Sequence, residues 1–279
     1  MVIGYGDWST PAFGFSAVSP DTGPFPERGF LQAIWNHDPV GDLRLAESET
    51  ALVPLVVDGN AIRWVGHPDL VDYRSPLGSA VPDLLAGVLA ENRGLRYRFD
   101  SLPGEAAAAV RLGLEQAGID DEPEQDAMAA RLLLPDSFER YLDQIGKKER
   151  HEIRRKRRRF HELHGHPALV TATGSGAGFA RFVEMHRNSA GPKGGFMTPA
   201  MELLFASLAG TPGWQIDLLE TEDGRAVAAA FSWADAEGFY LYNSAYDRTT
   251  EASPGIVLFS MLIDRAIRAN VRIFDFLKG

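Results

Sequence analysis

Three stretches of this sequence bring together side chains able to do chemistry. In YDRTTEASPGIVLFSMLI, Ser253 is a good helix N-cap, Pro254 suits the first helical position and Gly255 lets another backbone come close. A helix should therefore start here with several free N–H groups. Its first turn holds Ile256, Val257 and Leu258 in place of acids, so the positive end of the helix dipole is left for an anion, above all a phosphate. A capped helix whose start merely faces water accounts for the same residues. Upstream, strand periodicity in FYLYNSAY puts Tyr240, Tyr242, Ser244 and Tyr246 on one face and Phe239, Leu241, Asn243 and Ala245 on the other. The tyrosines are either half-buried packing residues or hydroxyls turned to a ligand. Asp247, at the strand's end, is either a turn residue or a base for a substrate amine or hydroxyl.

The second stretch is KKERHEIRRKRRRFHELHGH, from Lys147 to His166. Nine of the chain's 28 Lys and Arg residues fall between Lys147 and Arg159, beside only Glu149 and Glu152. The rest of the chain then has 19 basic and 36 acidic residues, within a formal net charge of −10. Three readings fit: a solvated helix face offset by nearby acids, a phosphate-facing wall, or a nucleic-acid surface. Helical spacing places Arg150, Arg154, Arg157 and Arg158 near one face, with Arg155 and Arg159 flanking another. The acidic total weighs against nucleic acid, whose partners usually carry a basic domain. The third stretch is GPKGGF, where Lys193 is a lone cation among glycines, either solvated or in contact with a substrate or phosphate. Asp275 shares a strand face with Val271, Ile273 and Leu277, so its carboxylate needs a partner such as an Arg or a neighbouring loop.

These residues need elements to hold them. A chain of 279 residues with 45% hydrophobic content supports one large core or two smaller ones. No apolar run reaches the roughly 18 residues of a membrane helix, and MVIGYGDWST is not of signal-peptide type, so the expectation is a cytoplasmic protein without membrane insertion. Cysteine is absent, and four of the seven His lie beside the basic stretch without zinc spacing, so no metal site is expected. TALVPLVVDGNAIRWVG reads as two strands around Asp58-Gly59-Asn60. A helix over Val81–Glu91, a strand in LRYRFDSL, a helix in PGEAAAAVRLGLEQAG and a strand in DAMAARLLLP follow. One long helix runs from Asp136 or Ser137 to about Leu163. Then come the strand ALVTAT, helices in GFARFVEMHR and PAMELLFASLA, strands WQIDLLE, RAVAAAFSW and FYLYNSAY, the helix GIVLFSMLIDRAIRAN and the strand VRIFDFL. The fold class is α/β with a mixed sheet, as two similar units, 1–135 and 136–279, joined by the long basic helix.

The ordered set YDRTTEASPGIVLFSMLIDRAI…VRIFDFLKG, preceded by KKERHEIRRKRRRFHE and MHRNSAGPKGGFM, resembles the GNAT-like acyltransferases associated with cellulose and exopolysaccharide biosynthesis. That group is related to the Fem-type aminoacyltransferases, which contain two GNAT-like units. The resemblance is clearest from Leu133 to Gly279, with WNHD, LVPLVVDG and VDYRSPLG as weaker echoes of a first unit. It implies a twisted mixed sheet that opens in a V where acyl-CoA slips between strands. In the GNAT pattern the fourth strand, here FYLYNSAY, lends a backbone amide to the thioester carbonyl, and the next helix start, here Ser253 to Ile256, takes the pyrophosphate. The usual signature Q/R-x-x-G-x-G/A is absent from this segment.

On that resemblance the chain is an acyltransferase, moving an acetyl or other acyl group from acyl-CoA to an amine or hydroxyl of a sugar or polysaccharide precursor. Backbone amides near Asn243 and Ser244 would hold the oxyanion, Asp247 would be the base and Tyr242 the acid for the leaving thiolate. Ser253, Pro254, Gly255 and Ile256, with Arg154 and Arg158, would hold donor phosphates; Lys193, Asp72 and Tyr73 would meet the acceptor. The other readings are a Fem-like transferase using a tRNA-borne aminoacyl donor, and a non-catalytic protein that binds an anionic glycan. Family members continue past the Asp-Phe-Leu-Arg-Gly-like motif into a Tyr-Lys segment and more sheet. The expectation is therefore that C-terminal strands are missing or that a second copy completes the sheet as a homodimer.

Overall fold

The computed structural model describes residues 4–9, 14–189 and 191–278, apart from the side chains of residues 192 and 193. The chain divides into two compact units, Met1–Met128 and Ala129–Gly279.

The first unit runs β1 (Gly4–Gly6), α1 (Arg28–His37), β2 (Asp42–Ser48), β3 (Ala51–Asp58), β4 (Ala61–Trp64), β5 (Leu77–Gly78), α2 (Val81–Glu91), β6 (Arg96–Arg98) and α3 (Gly104–Gln116). Its sheet has the order β1-β2-β3-β4-β6, with β5 also on β3, and is mixed because β4 and β6 run parallel. The expected hairpin forms: Asp58 pairs with Ala61, and Gly59 takes a φ of +58° that a side chain would resist. Val53 and Leu55 of β3 join the core built with α2 and α3, while Leu52 and Val56, on the opposite face, are buried too. Pro54 is tolerated in this central strand for a local reason. Its carbonyl accepts from Val65 N, so its nitrogen faces the same side, where β5 pairs only Ala51 and Leu52 and β4 only Leu55–Asp58. The missing N–H would be the return bond to Val65 at the very end of the β3–β4 ladder, so a single terminal bond is lost.

The second unit runs β7 (Arg131–Leu133), α4 (Phe138–Gln144), α5 (Lys147–His164), β8 (Ala168–Ala172), α6 (Ala177–Arg187), α7 (Pro192–Phe196), α8 (Pro199–Ala209), β9 (Trp214–Glu220), β10 (Ala226–Ala234), β11 (Gly238–Tyr246), α9 (Pro254–Arg268) and β12 (Ile273–Asp275). Its sheet order is β7-β12-β11-β10-β9-β8, antiparallel except for β11 and β12. The α/β class with two mixed sheets is thus as the sequence implies.

Three details differ. The strand in DAMAARLLLP is β7, which pairs with β12, so it belongs to the second sheet and the first unit ends before it. The basic helix therefore lies inside the second unit and does not join the two. The helix expected from Ser137 to Leu163 is broken: Ser137 caps α4 by accepting from Arg140 N, but Ile145 and Gly146 are extended, with ψ of 161° and 149°. Glycine's poor helix propensity favours the break there, and it lets α4 bury Tyr141 and Leu142 while α5 buries Phe160 in one core with α9.

Two buried carboxylates fasten this unit. Asp275, fully buried, accepts from Arg131 Nε at 2.9 Å and from Leu277 N at 2.8 Å, the tie to an Arg and a neighbouring turn that its position demanded. Asp217 of β9, also fully buried, accepts from Arg265 Nη1 and Nη2 at 2.7 and 2.6 Å, from Thr171 Oγ1 at 2.6 Å and from Gln215 Nε2 at 2.8 Å. This fork joins the last turn of α9 to the sheet. Replacing Asp217 with Ala leaves the Arg265 guanidinium without its carboxylate, and should lower the unfolding free energy of the second unit by about 3 kcal/mol. Urea denaturation of the full chain, followed through signals of that unit, measures it.

Candidate functional site

The site begins with an irregularity in β11. Opposite β10, Phe231 pairs with Asn243 and the next residue, Ser232, pairs with Leu241, so Tyr242 is an extra residue in a β-bulge. The bulge resets the alternation that the sequence suggests. Phe239 and Leu241 face the core shared with α9. Tyr242 and Asn243 both turn to the α6–α8 side: the Tyr242 ring lies 5.5 Å from Phe205 and 5.2 Å from Trp214, and Asn243 reaches His186 of α6. Past the bulge, Ser244 and Tyr246 point back toward α9. The expected hydroxyl face of Tyr240, Tyr242, Ser244 and Tyr246 is therefore divided between the two sides of the sheet.

At the same place β11 loses a neighbour. Its parallel register with β12 covers only Gly238 to Tyr240, and among the described residues it continues to Tyr246 with β10 as its sole strand partner. Beside this open edge is a pocket of about 430 Å³ lined by Lys156, Ser244, Ala245, Tyr246, Ser253, Gly255, Ile256, Leu258 and Phe259. The start of α9 forms one wall. Ser253 occupies the N-cap position, but with left-handed φ and ψ of 55° and 64°, and its side chain makes no cap hydrogen bond. That corrects the expected cap: Ser253 lines the pocket without capping the helix. The first turn carries no acid, Pro254 is buried at the first position, and a β-carbon on Gly255 would touch only the Tyr246 ring, at 3.4 Å.

The basic helix meets this pocket through one residue, Lys156, whose Nζ lies 3.3 Å from Glu152. Glu152 is drawn down to about 2, first by its hydrogen bond from Arg155 and then by Lys156. The arginines chosen from the sequence are engaged elsewhere: Arg154 pairs with Glu139 at 2.6 Å and Arg158 with Glu162 at 3.7 Å, and neither lines the pocket. Arg150, Arg157 and Arg159 have carboxylates within 2.6 to 3.8 Å, and Arg157 also lies over the Phe138 ring. The acid-offset helix face describes these residues better than a phosphate wall.

Asp247 is a turn carboxylate. Its Oδ1 accepts from Thr249 N and Oγ1 at 2.8 and 2.6 Å, and its Oδ2 from Thr250 Oγ1 and Arg225 Nη1 at 3.0 and 3.1 Å. The Thr249 hydrogen bond leads the effects that hold its pKa below the ordinary 3.8, which makes it a weak base with its lone pairs already used. The sequence-based choice of Asp247 as proton acceptor is corrected accordingly. In the first unit Tyr73 is buried edge-on against Phe25, and Asp72 is half-buried. The side chain of Lys193 lies outside the described residues. His186, 1% exposed, was not singled out from the sequence; its Nε2 lies 2.9 Å from Asn243 Oδ1. In MHRNSAG a histidine near a helix end carries no motif, and only the fold brings it to the bulge.

Among the described residues, no helix is long and apolar enough to cross a membrane, and no group of three or more His, Asp or Glu side chains is placed to hold a metal. Residues 147–279, just under half of the chain, match the family model described as the acetyltransferase (GNAT) domain, and the second unit has the GNAT-like fold. Solved structures similar to the whole chain include L-PGS from Bacillus licheniformis, with 16% identity, a TM-score of 0.58 and coverage of 91% of this chain and 76% of that one. The C-terminal domain assigned to a lysylphosphatidylglycerol synthetase from Agrobacterium fabrum gives 15%, 0.55, 88% and 74%. FemX gives 10%, 0.58, 89% and 82%. At these identities the likeness is one of fold. No curated protein matches the chain in sequence.

Because the folded pKa of Asp247 is depressed, its contribution to stability is present above its unfolded pKa near 3.8 and is lost as pH falls through the folded value. Asp247→Asn should therefore be less stable than the parent at pH 7, with the difference shrinking at a pH well below 3.8. Paired urea midpoints at the two pH values measure this.

Proposed function

We propose that the second unit is an acyltransferase that uses acyl-CoA, acetyl-CoA being the simplest, as its donor. The observation that carries this reading is the pocket at the open edge of β11, walled by an acid-free helix start and Lys156, inside a segment that matches a GNAT acetyltransferase model. Pro254 has no N–H, and Ile256 N and Val257 N donate to the Ser253 carbonyl at 3.0 and 3.3 Å, so the Gly255 N–H, the Ser253 hydroxyl and the Lys156 ammonium would hold the donor's phosphates at the positive end of α9. The pantetheine arm would lie along Leu241 to Tyr246, and the thioester carbonyl would meet backbone amides near Asn243 and Ser244.

An acceptor amine or hydroxyl would attack the carbonyl carbon and the carbon–sulfur bond would break. The acceptor loses one proton and the thiolate gains one, which gives the acylated acceptor and free CoA thiol. The acceptor, a sugar or polysaccharide precursor, rests on the sequence resemblance alone, as does a homodimer, and a cytoplasmic location rests on the composition of the sequence. A second reading, an aminoacyl donor carried by tRNA, is favoured by the fold shared with FemX and by the name lysylphosphatidylglycerol synthetase, which describes transfer of an amino acid. Against it, the arginines of α5 are already paired with carboxylates, which leaves little basic surface for a polyanion.

Calorimetric titration with CoA, acetyl-CoA and a tRNA distinguishes the two. CoA and acetyl-CoA should bind, and Gly255→Asp should weaken both by more than about tenfold while leaving thermal stability close to the parent's, since its β-carbon has room. Lys156→Glu should weaken donor binding similarly, and more at low salt than at high. Unchanged donor affinity in Gly255→Asp would sink the phosphate site, and tRNA binding without CoA binding would favour the second reading.

A further inference from the structure

The mechanism above leaves out a buried histidine that is hydrogen-bonded to β11 beside the proposed reacting centre. His186 sits in the last turn of α6, 1% exposed, with the Phe182 ring at 5.7 Å and the Phe196 ring at 5.4 Å. Its Nε2 lies 2.9 Å from Asn243 Oδ1, across 57 residues of sequence. An amide oxygen only accepts, so Nε2 must carry the proton and donate it. That contact fixes which way the Asn243 amide is turned: with Oδ1 held by the imidazole, Nδ2 is on the other side, carrying two N–H donors. Asn243 itself is half-buried, next to the bulge residue, on the part of β11 that β12 no longer accompanies.

We infer that Asn243 donates a side-chain hydrogen bond to the acyl carbonyl as it becomes an oxyanion, and that His186 is the positioning residue that sets the amide for it. This rests on the acyltransferase reading and deepens it. The bulge supplies the placement. Had the strand kept its ordinary alternation, Asn243 would face the α9 core and Tyr242 alone would face α6. With the extra residue, the amide stands on the sheet face opposite the donor's phosphate pocket, at the edge where a thioester threaded between the parted strands would emerge. As the acceptor's nitrogen or oxygen bonds to the carbonyl carbon, the carbonyl electron pair moves onto oxygen, where the Asn243 N–H stabilises it. When that pair returns to re-form the carbonyl, the C–S bond breaks, the sulfur leaves with the C–S bonding pair, and the thiolate is protonated to the thiol as the acceptor loses its proton.

A purely structural tie between α6 and β11 would use the same hydrogen bond, so the test needs a readout that such a tie does not move. Acetyl-CoA serves as donor and hydroxylamine as a small nucleophile, with released CoA thiol measured continuously. Asn243→Asp keeps an acceptor for His186 but removes both donors and adds negative charge beside the oxyanion. It should lower kcat by roughly a hundredfold or more, with acetyl-CoA affinity near the parent's. His186→Ala should lower kcat on the order of tenfold, as outer partners of a site typically do. His186→Gln, whose amide N–H can reach the same oxygen, should restore most of it. Turnover within twofold of the parent in Asn243→Asp, or loss in His186→Ala that tracks only a fall in Tm and is not restored by Gln, would overturn the inference.

An independent readout is the ¹⁵N spectrum of the His186 ring in the full chain. It should show the Nε2–H tautomer, and its Nε2 resonance should shift when acetyl-CoA is added and Asn243 takes up its second partner. A ring protonated on Nδ1 alone, or no shift on saturation with donor, overturns the proposal without any turnover. A parent protein that binds no acetyl-CoA at all would instead remove the acyltransferase reading itself, so the two failures are told apart by the parent's binding.

Discussion

The constraint on which the second unit depends is the short pairing of β11 with β12. Two parallel strands cannot be joined by a tight turn; the chain must cross over, and here α9 makes the crossing. A crossover helix begins where the first strand ends. The positive end of the α9 dipole and the unaccompanied end of β11 therefore lie together as a consequence of topology, before any side chain is chosen. Ligands in α/β proteins collect at the carboxyl ends of strands for the same reason. What the residues add is chemical selection: no acid in the first turn, Gly255 beside the Tyr246 ring, and Lys156 brought in from α5.

The charged residues divide into two kinds. Asp217 and Asp275 are buried, multiply hydrogen-bonded and matched to Arg265 and Arg131, so they hold the ends of α9 and β12 in place. The charges of α5 are mostly exposed, and each contributes little alone because water and salt screen it. An uneven charge distribution in sequence becomes a locally balanced surface once Glu139, Asp143, Glu251 and Asp264 come near the arginines. A helix that looks like a polyanion detector on paper is largely neutralised by its own protein.

Much of the architecture was legible because it depends on local periodicity and turn chemistry. The helices Val81–Glu91 and Pro199–Ala209 and the strand Trp214–Glu220 lie where apolar spacing and flanking Pro, Thr or Gly put them. The helix Arg28–His37 was not read, since it is short and follows a Pro/Gly-rich opening. At the site, the helix start at Pro254 was legible from Ser-Pro-Gly followed by apolar residues, whereas the left-handed Ser253, which follows a left-handed Ala252, was not, because a non-glycine residue carries no mark of positive φ in its sequence. The division of the tyrosines could not be seen: a bulge is a mismatch between two strands, and one strand's sequence does not contain it. Lys156 and His186 were missed for a related reason, since each is one residue among many of its kind until tertiary contacts single it out.

The fork between Asp217 and Arg265 has a mechanical consequence. It holds α9 at Arg265, near its C-terminal end, while the N-terminus at Pro254 lies 11 residues back along the helix, about 16 Å away at 1.5 Å per residue. The helix is thus a lever with its fulcrum at the buried carboxylate. A tilt of about three degrees there displaces the other end by about 1 Å, enough to spoil the alignment of a bound thioester with the bulge. Conservative changes around Thr171 or Gln215, at the other end of the helix, would then register as errors of aim at the proposed donor site.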